Sequence, residues 1–212
     1  MCSETRPNAK PENVICYFKE NHMVNKFIEE QLVKIGYTNL WLEYNILTIE
    51  SLNEQVENYN NGYDKNKEHY RYATLNFFLN NNLQLTEKQL SNYLDITLND
   101  EDKSMASSAI IDVFQKIELS ENEFIQVCDT LKNFGNWTEK IIERHKLLRE
   151  LKSETFSDDL FEKAVMFKDS IIHDILLKKS NLVQLEKLTV LGVNKSIRNQ
   201  ATQKIKQIKN SI

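Results

Sequence analysis

Apolar residues along most of this chain recur at spacings of three and four, the pattern of amphipathic helices. The clearest case lies near the end of the sequence, where Ile197, Ala201, Ile205 and Ile208 follow one another at intervals of four, four and three. Such a stripe is typical of a half-buried helix. No proline, the residue that most often interrupts helices, follows Pro11. The sequence therefore predicts an all-α fold.

Helix starts recur at intervals of about 36 residues. In each, an apolar residue precedes Ser or Thr, and another apolar residue lies four positions after the hydroxyl residue. The hydroxyl can accept a hydrogen bond from a free backbone N–H group, and the apolar pair can pack across the helix start. The predicted caps are Thr48, Thr86, Ser120 and Ser157. Their offsets of 38, 34 and 37 residues indicate a helical repeat.

A second helix is predicted between successive starts, over 64–79, 102–116 and 138–151. Small residues lie at matching places in the first two of these helices: Ala73 and Ala109 are 36 positions apart. We expect these alanines where two helices approach closely. The spacing thus predicts paired helices in each repeat.

The last repeat is the most regular. A helix is predicted over 181–191, and Gly192 is expected to take the positive φ that commonly ends a helix. Asn194 is then predicted to cap a second helix that runs to about Ile208. The segment 157–179 is compatible with one long helix or with two short ones.

The beginning of the chain differs from the rest. Residues 1–12 are polar and contain both prolines, so they are predicted to form a flexible arm. The remainder, 13–212, is predicted to be a single domain. Helices near 22–35 and 39–60, each ended by a glycine, are expected to form an N-terminal cap on the repeats.

The repeats resemble a known family. The segment Asn194–Ala201, continued by Ile205 and Ile208, is similar to the second helix of a HEAT repeat, with a cap, an aliphatic residue followed by Arg, and Ala three positions on. The segment Asp102–Ala109 is also similar, although Ala106 stands where the family prefers Arg.

The resemblance extends over 45–209, although the Asp-Pro turn of the family is missing throughout. It implies a curved α-solenoid of about four to five antiparallel helix pairs, which would bind an extended partner on its inner face. A non-repeating helical bundle is the other architecture that the pattern allows.

Charge is unevenly distributed behind a net charge of −4. Residues 175–212 contain eight basic side chains and one acidic side chain, whereas 84–129 contain ten acidic and three basic ones. The middle of the chain is therefore predicted to attract basic partners and to repel nucleic acid, and the C-terminal region to do the reverse. An ordinary solvated surface is the alternative interpretation.

Motifs for catalysis are missing from the sequence. The four glycines are isolated, and neither Glu-x-x-His nor His-Glu-x-x-His occurs. His145 and the pair His173-Asp174 superficially resemble the metal ligands of HD-type phosphohydrolases, but no Asp follows Asp174. A hydrogen bond between Asp169 and His173, one turn apart on an exposed helix face, is the simpler prediction. The sequence favours a non-enzymatic protein without a cofactor or metal.

Cysteine content and hydropathy indicate the compartment. Three cysteines without C-x-x-C spacing fit neither a disulfide framework nor a zinc site, which suggests a reducing environment. No apolar run approaches the roughly 18 residues of a bilayer span, and no signal peptide is recognised. We therefore expect a cytoplasmic protein without a membrane partner.

Aromatic and acidic residues provide the candidate binding site. Tyr and Arg are common anchors of protein interfaces, and a cluster of aromatic residues surrounds Arg71. Phe77 and Phe78 of this cluster are predicted to lie in the core. The acidic turn 100–102 lies between two predicted helices, where a basic ligand would experience a strong field. The predicted contact residues are Tyr70, Arg71, Tyr72, Asp100, Glu101 and Asp102.

Two functions follow from these observations. The leading one is a protein-binding scaffold for a basic partner, such as a neutralising (immunity-type) protein against a basic toxin. The second comes from the resemblance, because some HEAT-like proteins are DNA glycosylases that clasp duplex DNA. In that case a basic stripe on the last helix would hold phosphates without reading sequence. The stripe consists of Lys195, Arg198, Lys206 and Lys209.

Overall fold

The computed structural model of the chain describes residues 26–152 and 155–210. Every regular element within these two ranges is an α-helix, and no strand occurs in them, which confirms the all-α prediction. The chain divides into two compact units, of which unit 1 ends at Phe134 and unit 2 begins at Gly135. The predicted arm over 1–12 lies outside the described residues, and the single-domain boundary stays a prediction.

Unit 1 contributes the first seven helices of the described chain. They are α1 (26–35), α2 (Leu40–Glu43), α3 (Ile49–Asn60), α4 (Lys67–Asn81), α5 (Glu87–Leu98), α6 (Lys103–Lys116) and α7 (Glu121–Lys132). Helix α6 packs against both α4 and α5. The described part of unit 2 contains five helices. They are α8 (Asn136–Lys152), α9 (Asp158–Val165), α10 (Ser170–Lys179), α11 (Leu182–Leu191) and α12 (Lys195–Asn210).

All four predicted helix caps are confirmed. Thr48, Thr86, Ser120 and Ser157 each accept a hydrogen bond from the backbone N–H group three residues later, at 3.1–3.3 Å. At Thr86 and Ser120 the side chain three residues later accepts a hydrogen bond from the backbone N–H group of the cap residue, which completes a capping box. These helix starts are thus determined by residues within one turn.

The helix predicted over 39–60 is divided in the structure. Helices α2 and α3 are separated by a turn in which Asn45 has φ of 54°, and Thr48 begins the second of them. The predicted glycine ends are confirmed, because Gly36 and Gly62 follow α1 and α3 with φ of 81° and 79°. A left-handed residue within the turn stops the backbone hydrogen bonding that one long helix would need.

Two core predictions on α4 are wrong. Ala73 is exposed, and Phe77 exposes 69% of its surface, whereas Phe78 exposes only 8%. The buried face of α4 is formed instead by Arg71, Thr74, Leu75, Phe78 and Leu79. Since Ala73 and Phe77 lie one turn apart, both point away from that face. The small-residue prediction is confirmed on α6, where Ala109 is fully buried.

The segment 157–179 forms two short helices. Asp169 begins the second of them, because its carboxylate accepts hydrogen bonds from the N–H groups of Ile171 and Ile172 at 2.8 and 3.1 Å. The apolar stripe of α12 is confirmed, since Ile197 and Ala201 are buried in the unit 2 core and Ile205 packs against it. Helix α12 packs against α11 and α10.

Gly192 does not have the predicted positive φ. It ends α11 with φ of −53°, a value that any residue can adopt. A Cβ atom at this position would lie 2.7 Å from the Leu188 carbonyl oxygen and 2.9 Å from Ile197 Cγ2. Glycine is therefore favoured here by the limited space between the last turn of α11 and the first turn of α12, and the backbone conformation does not require it.

The predicted hydrogen bond between Asp169 and His173 is also absent. His173 exposes only 1% of its surface; its Nδ1 accepts from the Val193 N–H group at 3.2 Å, and its Nε2 lies 3.0 Å from the Phe167 carbonyl oxygen. With Nδ1 accepting, Nε2 carries the proton and donates. Because Asp169 caps α10, its carboxylate is directed to the helix start. His173 is a structural residue that joins three segments of unit 2.

None of the helices within 26–152 and 155–210 combines the length and apolar composition that a bilayer span requires.

Candidate protein-binding groove

The predicted contact residues do not form one surface. Arg71 exposes 1% of its area and Asp100 exposes 9%. The Arg71 guanidinium donates from Nε and Nη2 to the two carboxylate oxygens of Asp100, at 2.7 and 3.0 Å. Burial acts to lower the pKa of Arg71, but the bonds to Asp100 outweigh it and raise that pKa. The pair is internal, so Arg71 and Asp100 are not available for contact with a partner.

The two tyrosines of the prediction are half-buried. The Tyr70 hydroxyl donates to the carbonyl oxygen of Asp64 at 3.0 Å, and the Tyr72 hydroxyl donates to the carboxylate of Asp112 at 2.9 Å. These bonds hold both rings against unit 1. Their remaining exposed edges are the part of the prediction that the structure leaves accessible.

The two remaining acids have different roles. Asp102 caps α6, since its carboxylate accepts from the Met105 N–H group at 2.8 Å. The side chain of Glu101 is 82% exposed and lies 3.8 Å from Arg71. Of the six predicted residues, Tyr72 and Asp102 line a common groove, which has a volume of about 290 Å³ and also includes Glu68 and His69. Two of the six residues therefore line one small groove, and a third is an exposed acid.

A larger groove of about 560 Å³ lies between α5 and α7. Its floor is apolar, because Leu90, Leu94 and Leu98 recur at every turn of α5 and Val127 faces them from α7. Phe134 contributes an aromatic ring. We call this feature the acidic groove; its complete lining is Tyr44, Glu87, Leu90, Ser91, Asn92, Leu94, Asp95, Leu98, Glu123, Gln126, Val127, Asp129, Thr130 and Phe134.

The charged side chains that line the acidic groove are all carboxylates. Glu87 and Asp95 come from α5, and Glu123 and Asp129 come from α7. Lys, Arg and His do not occur among the lining residues that the structure describes. The groove therefore combines an apolar floor with two walls of the same negative charge.

Hydrogen bonds orient two of these carboxylates. The Ser120 hydroxyl and N–H group donate to the carboxylate of Glu123, and these two bonds lower the pKa of Glu123. The Tyr44 hydroxyl donates to Asp95 at 2.9 Å, and this bond raises the pKa of Tyr44. A carboxylate has about four lone-pair positions, so each group retains acceptor capacity for a ligand.

Cations of the chain neutralise the groove only in part. Asp129 forms an ion pair with Lys132 at 2.6 Å. Glu87, Asp95 and Glu123 form no ion pair with a cation of the described ranges. The negative potential of the groove is thus available to an external cation.

A second groove continues the acidic groove. It has a volume of about 440 Å³ and shares Tyr44 and Asn92 with its neighbour. The exposed ring of Phe77 lines this second groove. Its lining also includes the cation Lys88. The two grooves therefore adjoin at Tyr44 and Asn92, beside α5.

The excess of acids over 84–129 predicts an acidic region, and the turn 100–102 is its predicted centre. The groove between α5 and α7 does not follow from that prediction. The relevant pattern lies on α5, where Glu87, Ser91 and Asp95 recur every four residues beside the leucines. Such spacing places polar and apolar stripes side by side on one helix. It could have identified the α5 wall from sequence.

The basic stripe lies on α12 of unit 2, as predicted. Lys195 and Lys206 are exposed and form no ion pair within the part of the chain that the structure describes. Arg198 is half-buried and donates to the Gly192 carbonyl oxygen at 2.7 Å, and Lys209 pairs with Glu186 at 3.5 Å. Two of the four predicted cations therefore have structural contacts.

The histidines considered for catalysis lie inside unit 2. His145 exposes 5% of its surface, and Arg144 Nη1 lies 3.1 Å from its Nε2. Burial and the adjacent Arg144 charge lower the pKa of His145 to about 4. Among the described residues, no three or more His, Cys, Asp or Glu side chains are grouped so that they could hold a metal ion.

Comparison with known proteins identified no relative of this chain. No protein-family model matches the chain, and neither the curated proteins nor the solved structures yielded a match. The fold and the site define an all-α protein whose unit 1 has an acidic groove with a leucine floor.

Proposed function

We propose that this protein is a non-enzymatic protein-binding module that holds a basic segment of a partner in the acidic groove. The observation that carries this proposal is the lining of the groove, which has four carboxylates, an apolar floor and no cation among its described residues. Lys and Arg suit such a recess, because their aliphatic stems pack on apolar surface while their charged ends reach carboxylates.

The proposal includes a HEAT-like arrangement of antiparallel helix pairs. The support for it is the recurrence of hydroxyl-capped helices at about 36 residues, together with the packing of the second helices α4 and α6 against each other. In this arrangement the acidic groove lies between the first helices of two successive repeats. A neutralising protein against a basic toxin is the specific form of this function that we favour.

Capture from a lysate tests the function with matched variants. The groove variant carries Glu87→Lys and Glu123→Gln; Gln is accepted at the third position of a capping box, so the start of α7 is retained. The control carries Glu54→Lys and Glu57→Gln on α3, where both residues are exposed. The two variants change the net charge equally. Bound protein and bound nucleic acid are quantified at low and moderate salt.

A basic protein retained in about equimolar amount by the wild type and the control, and lost with the groove variant, is the expected result. Retention of the same protein by the groove variant would contradict the proposal. Nucleic acid retained without protein, and released when Lys195 and Lys206 are changed to Gln, would favour the alternative function. For the neutralising form, we expect the activity of the captured partner to be inhibited by the wild type and not by the groove variant.

A further inference from the structure

We propose that the acidic groove also accepts the basic stripe of a second copy of this chain, so that copies associate head to tail. This inference goes beyond the proposed function, because it requires no other protein. It rests on charge complementarity between two surfaces that the same sequence encodes.

The two units carry opposite net charge. Residues 1–134 contain 21 acidic and 12 basic side chains, a net charge of −9, whereas residues 135–212 contain 10 acidic and 15 basic side chains, a net charge of +5. Unit 1 of one copy and unit 2 of another therefore attract each other at low ionic strength. Contacts between like units are opposed by the same charges.

The two surfaces also match in length. Lys195 and Lys206 lie 11 residues apart on one face of α12, which corresponds to roughly 16 Å along the helix axis. Glu87 and Asp95 lie eight residues apart on α5, or roughly 12 Å. A lysine stem can extend along the leucine floor and cover this difference. Both lysines can therefore reach carboxylates of one groove at the same time.

The side chains needed for this contact are free of competing ion pairs. Glu87, Asp95 and Glu123 in the groove, and Lys195 and Lys206 on the stripe, form none within the described residues. Since all five lie at or near the surface, salt screens their attraction. The association is therefore expected to depend steeply on ionic strength.

The contact is heterologous, because each copy contributes a different surface. A bound pair still has one free groove and one free stripe, so further copies can add to it. The expected products are open chains or rings whose size increases with protein concentration. This geometry distinguishes the proposal from a two-fold symmetric dimer, in which both copies would use the same surface.

Sedimentation velocity tests the proposal on the full chain at about 20 mM and about 300 mM salt. The stripe variant carries Lys195→Gln and Lys206→Gln, and the groove variant carries Glu87→Lys and Glu123→Gln. The control carries Lys140→Gln and Lys146→Gln, which are exposed on α8 of the same unit and give the same charge change as the stripe variant. Circular dichroism melts establish that all variants are folded.

We expect the wild type and the control to exceed the monomer mass of 25.0 kDa at low salt and to return to it at high salt. The stripe variant alone and the groove variant alone should remain monomeric at low salt, with association weakened at least about tenfold. An equimolar mixture of the two variants should form a species of two chains and nothing larger, because only one intact groove and one intact stripe can meet.

A monomeric wild type at low salt would overturn the proposal, and so would a mixture that fails to form the two-chain species. Loss of association in the control would show that net charge, and not the stripe, is responsible, and would also overturn it. The proposed function is tested separately. If the groove variant still captures the partner, that function is contradicted, whether or not copies of the chain associate.

Discussion

Arg71 and Asp100 form a buried ion pair, joined by two hydrogen bonds, between α4 and the turn that precedes α6. The same carboxylate accepts from the Asp102 N–H group at 2.8 Å, so it also orders the start of α6. On the other side, a Cβ atom at Gly36 would lie 2.5 Å from Arg71 Nη1, which leaves room only for glycine at the end of α1. One guanidinium thus connects three segments of unit 1.

Removing the negative charge of this pair should strongly destabilise the protein. Asp100→Asn removes the buried carboxylate that pairs with Arg71, and the exposed Glu101 at 3.8 Å is a weaker counter-charge, so we expect a loss of about 3 kcal/mol in the free energy of unfolding. Urea denaturation measures this value. Glu101→Gln, which changes the exposed neighbour, should lie within about 0.5 kcal/mol of the wild type. Equal effects of the two substitutions would show that the ion pair has no special role.

The adjacent phenylalanines on α4 should differ sharply in their contribution to stability. Phe78→Ala removes a buried ring and should lower the free energy of unfolding by about 3 to 4 kcal/mol. Phe77→Ala should change it by less than about 0.5 kcal/mol, because the ring is 69% exposed. Thermal or urea unfolding of both variants provides the comparison. A large loss for Phe77→Ala would mean that this ring is buried in solution.

Gly192→Ala should destabilise unit 2 by steric overlap. The added Cβ would meet the Leu188 carbonyl oxygen and Ile197, and we expect a loss of about 1 to 3 kcal/mol. Gly135 provides the contrast, since it has φ of 89° and an added Cβ atom would have no close neighbour. At Gly135, Asn should be tolerated better than Ala, because Asn more readily adopts positive φ.

At Gly192 the order should reverse, with Asn no better than Ala, because the φ of −53° offers Asn no advantage and its side chain is larger. Unfolding free energies of the four variants decide whether Gly192 is needed for steric room or for a positive φ. A preference for Asn at Gly192 would restore the positive-φ interpretation.

His145 should make stability depend on pH. Its pKa of about 4 in the folded protein lies below the ordinary value of 6.5, so between these values the unfolded chain binds more protons. The free energy of unfolding should therefore fall as the pH decreases from 6.5 to 4, by up to about 3 kcal/mol from this residue.

Urea denaturation of wild type and His145→Gln at pH 7 and pH 4.5 isolates this contribution, since the other groups are common to both. The variant should lose less stability than the wild type between the two pH values. An NMR titration provides a second measurement, in which the His145 ring resonance should not shift between pH 7 and about pH 5.5. A titration midpoint near 6.5 would contradict the buried environment.

Local interactions explain which parts of the fold could be predicted from sequence. The caps Thr48, Thr86, Ser120 and Ser157 were found because the donor and acceptor of each cap lie within one turn of the chain. The stripe of α12 was found for the same reason, since its period is a property of one helix.

The errors involve residues whose environment is set by distant segments. The local sequence predicts His173 on a surface. Its bonds to Val193 and Phe167 cannot be seen in that sequence, because they depend on how α10 meets the loops around it. Arg71 was assigned to an interface because its partner lies 29 residues away. In the candidate site, the local acid density of α5 and α7 was visible, but the opening between the two helices is a product of tertiary packing.

The capping boxes at Thr86 and Ser120 have a consequence for synthesis of the protein. All residues of each box are present once four consecutive residues have been translated, so the local signals that start α5 and α7 exist before distant parts of the chain are made. Unit 1 ends at Phe134, and domains generally fold as units during translation. Both walls of the acidic groove can therefore form on the ribosome, before the basic residues of α12 have been made.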